Sequence, residues 1–242
     1  MRILVISDVH ANLTALEAVL ASAGSFDATW CLGDLVGYGP DLNECVERIR
    51  SLPNLLCIKG NHDQAIAGDV NMEIFNEEAA EAIRVSKALI SRSSAEFLRA
   101  LSEVITNDIA TFAHGSPRNP IWEYILDTTM ARLNFAVVHT PLTFVGHSHL
   151  PLIFTSDANG GKVTGTFAAT DAEIPLTLRT ILNPGSVGQP RDNDPRASFG
   201  IFDSEKQTWM IERVAYDIPS VQKRILEKGL PVRNALRLSA GH

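Results

Sequence analysis

His147-Ser148-His149 follows directly on the apolar run Leu142-Thr143-Phe144-Val145 and the single residue Gly146. If that run is a strand, its alternation sends both imidazoles to the same side. Two neutral imidazoles side by side at the end of a buried strand suit a metal ion, although an ordinary polar turn also contains such pairs. Four other apolar runs end in residues of similar chemistry: Asp8-Val9-His10, Gly33-Asp34, Gly60-Asn61-His62-Asp63 and His114-Gly115. The donors are oxygen and imidazole, without cysteine. That mix suits Mn²⁺, Fe or Zn²⁺ and suits Ca²⁺ poorly, because Ca²⁺ prefers shells of oxygen alone. Asp8, His10, Asp34, Asn61, His62, His114, His147 and His149 are too many for one tetrahedral site and about enough for two ions. A two-metal site needs a bridging carboxylate with room for close approach, and Asp34 between Gly33 and Gly37 fits that role. Singly, each residue has a plain alternative: Asp8 and Asp34 as helix N-caps, Asn61 as a turn residue, His114 as a satisfied strand-end imidazole. Together, the plain readings require five separate strands all to end by chance in metal-type residues.

The elements that must position these groups follow from periodicity. Ile3 to Ile6 is a continuous apolar run of the kind buried on both faces of a sheet. A helix follows, with Leu13, Leu16, Val19 and Leu20 on one face and Gly24 ending it. Strand, polar loop, helix and strand open a βαβ pattern, in which ligands sit at the carboxyl ends of strands. Ala28 to Leu32 and Leu55 to Ile58 are the next strands, with a helix from about Asp41 to Ser51 between them. From about 68 to 104 the pattern turns helical, with Ser93-x-x-Glu96 read as a capping box and no strand expected. This stretch is either an insertion forming a lid or specificity wall beside the site, or plain core-packing helices. Ile109 to Ala113 is a strand, and a helix runs from about Thr128 to Val138. Beyond His149 the texture is strand–turn–strand. Leu152 to Thr155 and Lys162 to Phe167 form a hairpin through Asn159-Gly160-Gly161, Thr180 to Leu182 is a strand, and Phe199 to Phe202 pairs with Trp209 to Val214. Asp217 caps a last helix to about Lys228, and the tail after Pro231 reads as frayed. The 242 residues carry no internal repeat or linker, so the expectation is a single α/β (α+β) domain of two packed sheets with helices outside, plus the helical insertion.

Composition bounds the partners. Hydrophobic content is 45%, charged content 20% and the formal charge −7, with no basic run. No stable complex with nucleic acid or with an anionic membrane surface is expected. A small anionic substrate is compatible with this charge when metal ions hold it. Cys31, Cys45 and Cys57 are an odd set without paired spacing, which points to a reducing compartment. Met1-Arg2 leads straight into Ile3 and soon reaches Asp8, too short for the apolar core of a signal peptide, and no apolar run is long enough to cross a bilayer. A cytoplasmic location is the expectation. Homo-oligomers stay open.

In their order along the chain, Asp8-x-His10, Gly33-Asp34, Gly60-Asn61-His62-Asp63, His114 and Gly146-His147-Ser148-His149 resemble the calcineurin-like metallophosphoesterases. Asn183-Pro184-Gly185-Ser186 looks like a loop of the small prokaryotic phosphodiesterase branch. The resemblance implies a four-layer αββα sandwich with a di-metal site. By its assignments Asp8, His10 and His149 hold one ion, Asn61, His114 and His147 hold the other, and Asp34 bridges. His62 is then no ligand but faces the phosphate, as a proton donor to the leaving oxygen or a stabiliser of charge. Two cations so held clamp an in-line displacement and generate a bridging hydroxide near neutral pH. One departure matters: protein phosphatases of the family continue with Asp-Arg-Gly where this chain has Gly37-Tyr38-Gly39. The carboxylate that would orient the histidine and the arginine that would grip phosphate are both missing. Arg191 either replaces that grip or is an ordinary surface arginine. The expected activity is hydrolysis of phosphodiesters of a small or nucleotide-like substrate, with Asn61, His62 and Arg191 contacting it. The alternatives are a phosphomonoesterase, protein phosphatases included, or a non-catalytic scaffold such as the fold provides in the retromer coat.

Overall fold

The apolar runs of the sequence become strands because both of their faces are covered. A computed structural model describes residues 1–68, 70–75, 77–157 and 161–242. Its elements are β1 (Arg2–Ile6), α1 (Leu13–Ala23), β2 (Ala28–Cys31), α2 (Leu42–Arg50), β3 (Leu55–Cys57), α3 (Asn61–Ala67), a 3₁₀ turn (Met72–Ile74), α4 (Glu77–Leu89), α5 (Arg92–Ala100), β4 (Val104–Thr106), β5 (Ala110–Ala113), α6 (Thr128–Phe135), β6 (Leu142–Phe144), β7 (Leu152–Ser156), β8 (Val163–Phe167), β9 (Ile174–Pro175), β10 (Arg179–Leu182), β11 (Ala197–Asp203), β12 (Thr208–Val214), α7 (Ile218–Glu227) and α8 (Val232–Ala240). They build two mixed six-stranded sheets, ordered β3-β2-β1-β11-β12-β9 and β4-β5-β6-β10-β7-β8.

Strand β1 illustrates the layering. Ile3 and Val5 point into the core between the sheets, where Trp30 meets Phe112, Phe144 and Phe202 at ring-centroid distances of 4.8, 5.0 and 5.5 Å. Leu4 and Ile6 point the other way, into a core shared with Leu16 and Val19 of α1 and with Val46 and Ile49 of α2. On the far side, Ala131 and Phe135 of α6 cover Leu152, Phe154 and Ile181 of the second sheet. The order is therefore helix, sheet, sheet, helix, as expected from the sequence. Large aromatic side chains bury the most apolar area per residue, so the inter-sheet layer is the natural anchor of the fold.

The same topology brings the candidate residues together. Strands β1, β2 and β3 run parallel in the first sheet, and β5, β6 and β10 run parallel in the second. The loops bearing Asp8, Asp34, Asn61, His114, His147 and Asn183 all leave carboxyl ends of these strands, which is where open sheets present ligands.

Three sequence expectations need correction. The segment after Pro231 is not frayed: α8 buries Asn234, Ala235 and Leu238 against Val221 and Ile225 of α7 and against Ala79 and Ala82 of α4. Its amphipathic face found partners far away in sequence. Helix α5 starts at Arg92, because the Ser91 side chain accepts the Ser94 amide at 3.1 Å, and Glu96 pairs with Arg92 instead of closing a box with Ser93. The helical stretch also ends in a strand, β4, at the edge of the second sheet. Helix α5 packs Ala95 and Leu98 into the core, whereas Ile74, Phe75 and Ala79 line the cleft described below, so the 68–104 stretch serves both as packing and as wall. The hairpin of β7 and β8 forms as expected. Of its turn, Asn159 and Gly160 lie outside the described residues.

Candidate metal centre

The residues singled out by the sequence converge. Asp8, His10 and His149 form one buried group whose ligand atoms all lie within 4.8 Å of one another, and Asp34, His114 and His147 form a second. Asp34 also falls in a third such group with His10 and His62, which makes it the carboxylate common to both halves of the cluster. Its Oδ2 stands 3.4 Å from His114 Nε2 and 3.7 Å from His10 Nε2. Asn61 is the first residue of α3, and its Oδ1 lies 3.2 Å from His114 Nε2. Asp8 and Asp34 are not helix caps; Asn12 caps α1, and Asp41 stands at the start of α2.

The backbone around these groups is unusual. Of the eleven described non-glycine residues with positive φ, five are Asp8, His10, Asp34, His147 and His149. Each such residue costs on the order of 1–3 kcal/mol and persists only where its surroundings over-determine it. The expected alternation of His147 and His149 therefore fails: β6 stops at Phe144, and both histidines take left-handed conformations that turn them into different groups. Glycines permit the close approach. A Cβ on Gly33 would lie 2.6 Å from the Gly60 nitrogen, and one on Gly37 would lie 2.6 Å from His62 Nδ1.

Hydrogen bonds aim the imidazoles inward. The Nδ1 atoms of His10, His114 and His149 lie 3.1, 2.7 and 2.6 Å from the carbonyls of Val36, Leu32 and Gln189. A carbonyl can only accept, so each Nδ1 carries a hydrogen, and the neutral rings of His10 and His149 present their Nε2 lone pairs to the cluster, whereas His114 Nε2 faces the acceptors Asn61 Oδ1 and Asp34 Oδ2. His10 Nε2 and His149 Nε2 then face each other at 3.0 Å with no hydrogen between them. Asp8 Oδ1 and His147 Nε2 are likewise buried without a hydrogen-bond partner among the described residues. Lone pairs crowded together in a buried site call for a cation, and the donor set fits transition-metal ions.

A family model for the calcineurin-like phosphoesterase superfamily domain matches residues 1–207. The chain belongs to this superfamily. An uncharacterised protein of Methanocaldococcus jannaschii is 38% identical over 247 residues, covering 99% of this chain and 98% of that one. The crystal structure of a metallophosphoesterase from Sphaerobacter thermophilus is 43% identical, with a TM-score of 0.92, over 100% of this chain and 99% of that chain. A hypothetical protein of Pyrococcus horikoshii OT3 shares the fold at 22% identity and a TM-score of 0.80, over 100% and 98% of the two chains. Membership makes this chain a metal-dependent phosphoester hydrolase by class.

The charge pattern of this metallophosphoesterase site follows from burial and neighbours. Burial is the main reason that His10 and His149 lie below the usual imidazole range, that His62 falls to about 4, and that His147 falls to about 3. His114 is the exception. Burial opposes its charge too, but the carboxylates of Asp34 and Asp8 outweigh it and push it up to about 10. Asp8 and Asp34 stay ionised although burial works against them, because His149 and His114 respectively stand close by.

Several residues take roles that the sequence reading did not give them. Asp63 accepts the amides of Asp34 (2.8 Å), Leu35 (2.9 Å), Val36 (3.2 Å) and Gly60 (3.0 Å), tying the bridging loop to the Asn61 loop. Burial and the Asp34 charge push Asp63 up to about 7, against the pull of these amides. Asn183 donates to the Gly146 carbonyl at 2.7 Å, and the Ser186 hydroxyl donates to the Asp8 carbonyl at 2.8 Å, so the Asn183-Pro184-Gly185-Ser186 loop braces two ligand loops. The cluster opens into a cleft of about 290 Å³ lined by Tyr38, Phe75, Trp122 and Tyr124, and by Arg191 and Arg237. Arg191, which the sequence left as either a phosphate grip or a surface arginine, lines the cleft. Tyr124 stacks on His147 with ring centroids 3.8 Å apart, and only its place beside the site distinguishes it from any loop tyrosine.

Proposed function

We propose that this chain is a phosphodiesterase that binds two divalent transition-metal ions, Mn, Fe or Zn, and acts on a small or nucleotide-like substrate. The observation that carries the reading is the facing pair of imidazole lone pairs, His10 Nε2 and His149 Nε2, beside a carboxylate shared by two ligand groups. On this reading Asp8, His10 and His149 hold one ion, Asn61, His114 and His147 hold the other, and Asp34 bridges. Ions so held polarise a phosphoryl oxygen and lower the pKa of water, which places a nucleophile within reach near neutral pH.

The remaining work falls to the chain's own groups. His62 follows Asn61 in the first turn of α3, and its ring lines the cleft, packed against Tyr38 (4.4 Å between centroids) and Phe75 (5.6 Å). Its Nδ1 is buried without a hydrogen-bond partner among the described residues. We assign it the proton that goes to the leaving oxygen. Burial keeps it neutral, and an arriving anion favours the charged form it needs. Asn61 and Arg191 orient the phosphoryl oxygens. The diester preference is supported by the apolar faces of Phe75, Trp122 and Tyr124, which offer a surface for a second organic arm that a monoester lacks. We further take the chain to be one domain whose 68–104 stretch is an insertion, and to work in the cytoplasm on a free small substrate. No described helix is long and apolar enough to cross a membrane.

The test is elemental analysis of purified protein together with hydrolysis of bis-p-nitrophenyl and mono-p-nitrophenyl phosphate. About two transition-metal ions per chain, loss of activity on chelation and faster cleavage of the diester are expected. Full activity with one ion overturns the bridging role of Asp34, and faster cleavage of the monoester overturns the diester assignment.

A further inference from the structure

Two guanidinium groups line the cleft, and neither has an anionic partner among the described residues. Arg191 donates Nη2 to the neutral amide oxygen of Gln189 at 3.0 Å, and its Nε is buried with no partner. Arg237 makes no hydrogen bond or ion pair through its side chain among the described residues. The contrast with its neighbours is informative: on the same helical hairpin Arg233 pairs with Glu78 at 2.7 Å and Arg224 pairs with Asp41 at 3.0 Å. Asp34 is the single carboxylate among the described residues that line the cleft, and it belongs to the metal-binding cluster.

The guanidinium of Arg191 also lies 5.8 Å from the ring centroid of Tyr38. Burial and the charge of Arg191 both lower the affinity of Arg237 for its proton, only partly offset by Glu78, which is itself paired with Arg233. Two like charges held together in a chain of net charge −7 are an unfavourable arrangement that an anion would relieve.

We propose that Arg191 and Arg237 form a second anion subsite, so that the preferred substrate carries another phosphate group beside the phosphoryl group that is cleaved. This proposal rests on the reading of the site as a phosphodiesterase. The substrate class is a polyphosphate diester, with the scissile phosphoryl at the metal-binding cluster and a neighbouring phosphate on the two guanidiniums. The planar donors of arginine match phosphate oxygens two at a time. Arg237 lies on α8, beyond the residues 1–207 matched by the family model, so the C-terminal hairpin adds this selectivity to the shared domain.

Arg237→Gln tests the proposal in two ways. Isothermal titration of chelated protein with inorganic pyrophosphate reads the subsite without catalysis. Wild type is expected to bind, and Arg237→Gln to bind about tenfold to a hundredfold more weakly, the usual scale for a hydrogen bond to a charged group. In the metal-loaded enzyme, the ratio of kcat/KM for a dinucleoside tetraphosphate to that for bis-p-nitrophenyl phosphate is expected to fall at least tenfold, and Arg237→Lys to restore part of it. Thermal melts of each variant report folding. Pyrophosphate that fails to bind wild type, or binds Arg237→Gln equally well, overturns the subsite. Equal losses on both esters also overturn it, since Arg237 then serves the scissile phosphoryl or the fold. If metal-loaded wild type cleaves no ester, the phosphodiesterase reading falls, while the pyrophosphate titration still decides the subsite.

Discussion

Asp63→Asn replaces one carboxylate oxygen and removes no carbon, yet a large loss of stability is expected. Oδ2 of Asp63 accepts the amides of Asp34 and Gly60, and Oδ1 accepts those of Leu35 and Val36. An asparagine has one acceptor oxygen, so in either orientation its NH₂ faces two buried amide donors. Each stranded donor costs about 1–3 kcal/mol, so the variant loses roughly 2–6 kcal/mol. That is a large part of the ~5–15 kcal/mol typical of a folded domain. At about 2–4 °C per kcal/mol for a chain of this size, the melting temperature falls by roughly 4–24 °C. Calorimetry at pH 8 makes the comparison one of carboxylate against amide, because Asp63 titrates at about 7. The same change frees the backbone of Asp34, held at φ 54°, so metal occupancy falls along with stability. A variant that melts within about 1 °C of wild type and keeps its metal would refute the view that this carboxylate organises the site.

Asp34→Asn is expected to lower occupancy of both metal positions, because a neutral amide bridges cations poorly; elemental analysis showing one position emptied and the other full makes Asp34 a terminal ligand. His62→Ala is expected to keep its metals and lose about 10²–10⁴-fold in rate on alkyl esters, with a smaller loss on nitrophenyl esters, whose leaving group departs without a proton. Equal losses on the two ester types would remove the general-acid role. The chelated protein is expected to be acid-labile. His10, His62, His147 and His149 titrate below the ordinary 6.5 in the folded state, His62 at about 4 and His147 at about 3, so their contribution is complete above about 6.5 and drains away as the pH falls towards 3. Asp63, raised to about 7, works in the opposite sense, but as one group against four, and His114, raised to about 10, acts mainly above 6.5. The urea midpoint of metal-free protein therefore drops between pH 7 and pH 5, and a flat or rising midpoint contradicts the burial argument.

Much of this protein was legible along the chain. Continuous apolar runs such as Ile3 to Ile6 can satisfy their backbone only by pairing within a covered sheet, so strands and the intervening helices follow from local pattern. The candidate donors at five strand ends were legible for the same reason, since a parallel arrangement collects those ends at one edge. What failed depended on distant partners. Helix α8 looked like a frayed tail because the faces that cover Ala235 and Leu238 belong to α7 and α4, the latter about 150 residues upstream. Arg237 consequently had no visible link to the cleft. Asp63 was noticed only as a motif letter, since its four amide donors come from loops that meet only in the folded chain. The sequence by itself determined which donor types are present and at which strand ends. The tertiary structure alone decided how they are aimed: the left-handed conformations of Asp8, His10, Asp34, His147 and His149 are locally unfavourable, and no local pattern selects them. Contacts from other loops over-determine them, and the carbonyls of Val36, Leu32 and Gln189 turn the imidazoles of His10, His114 and His149 inward.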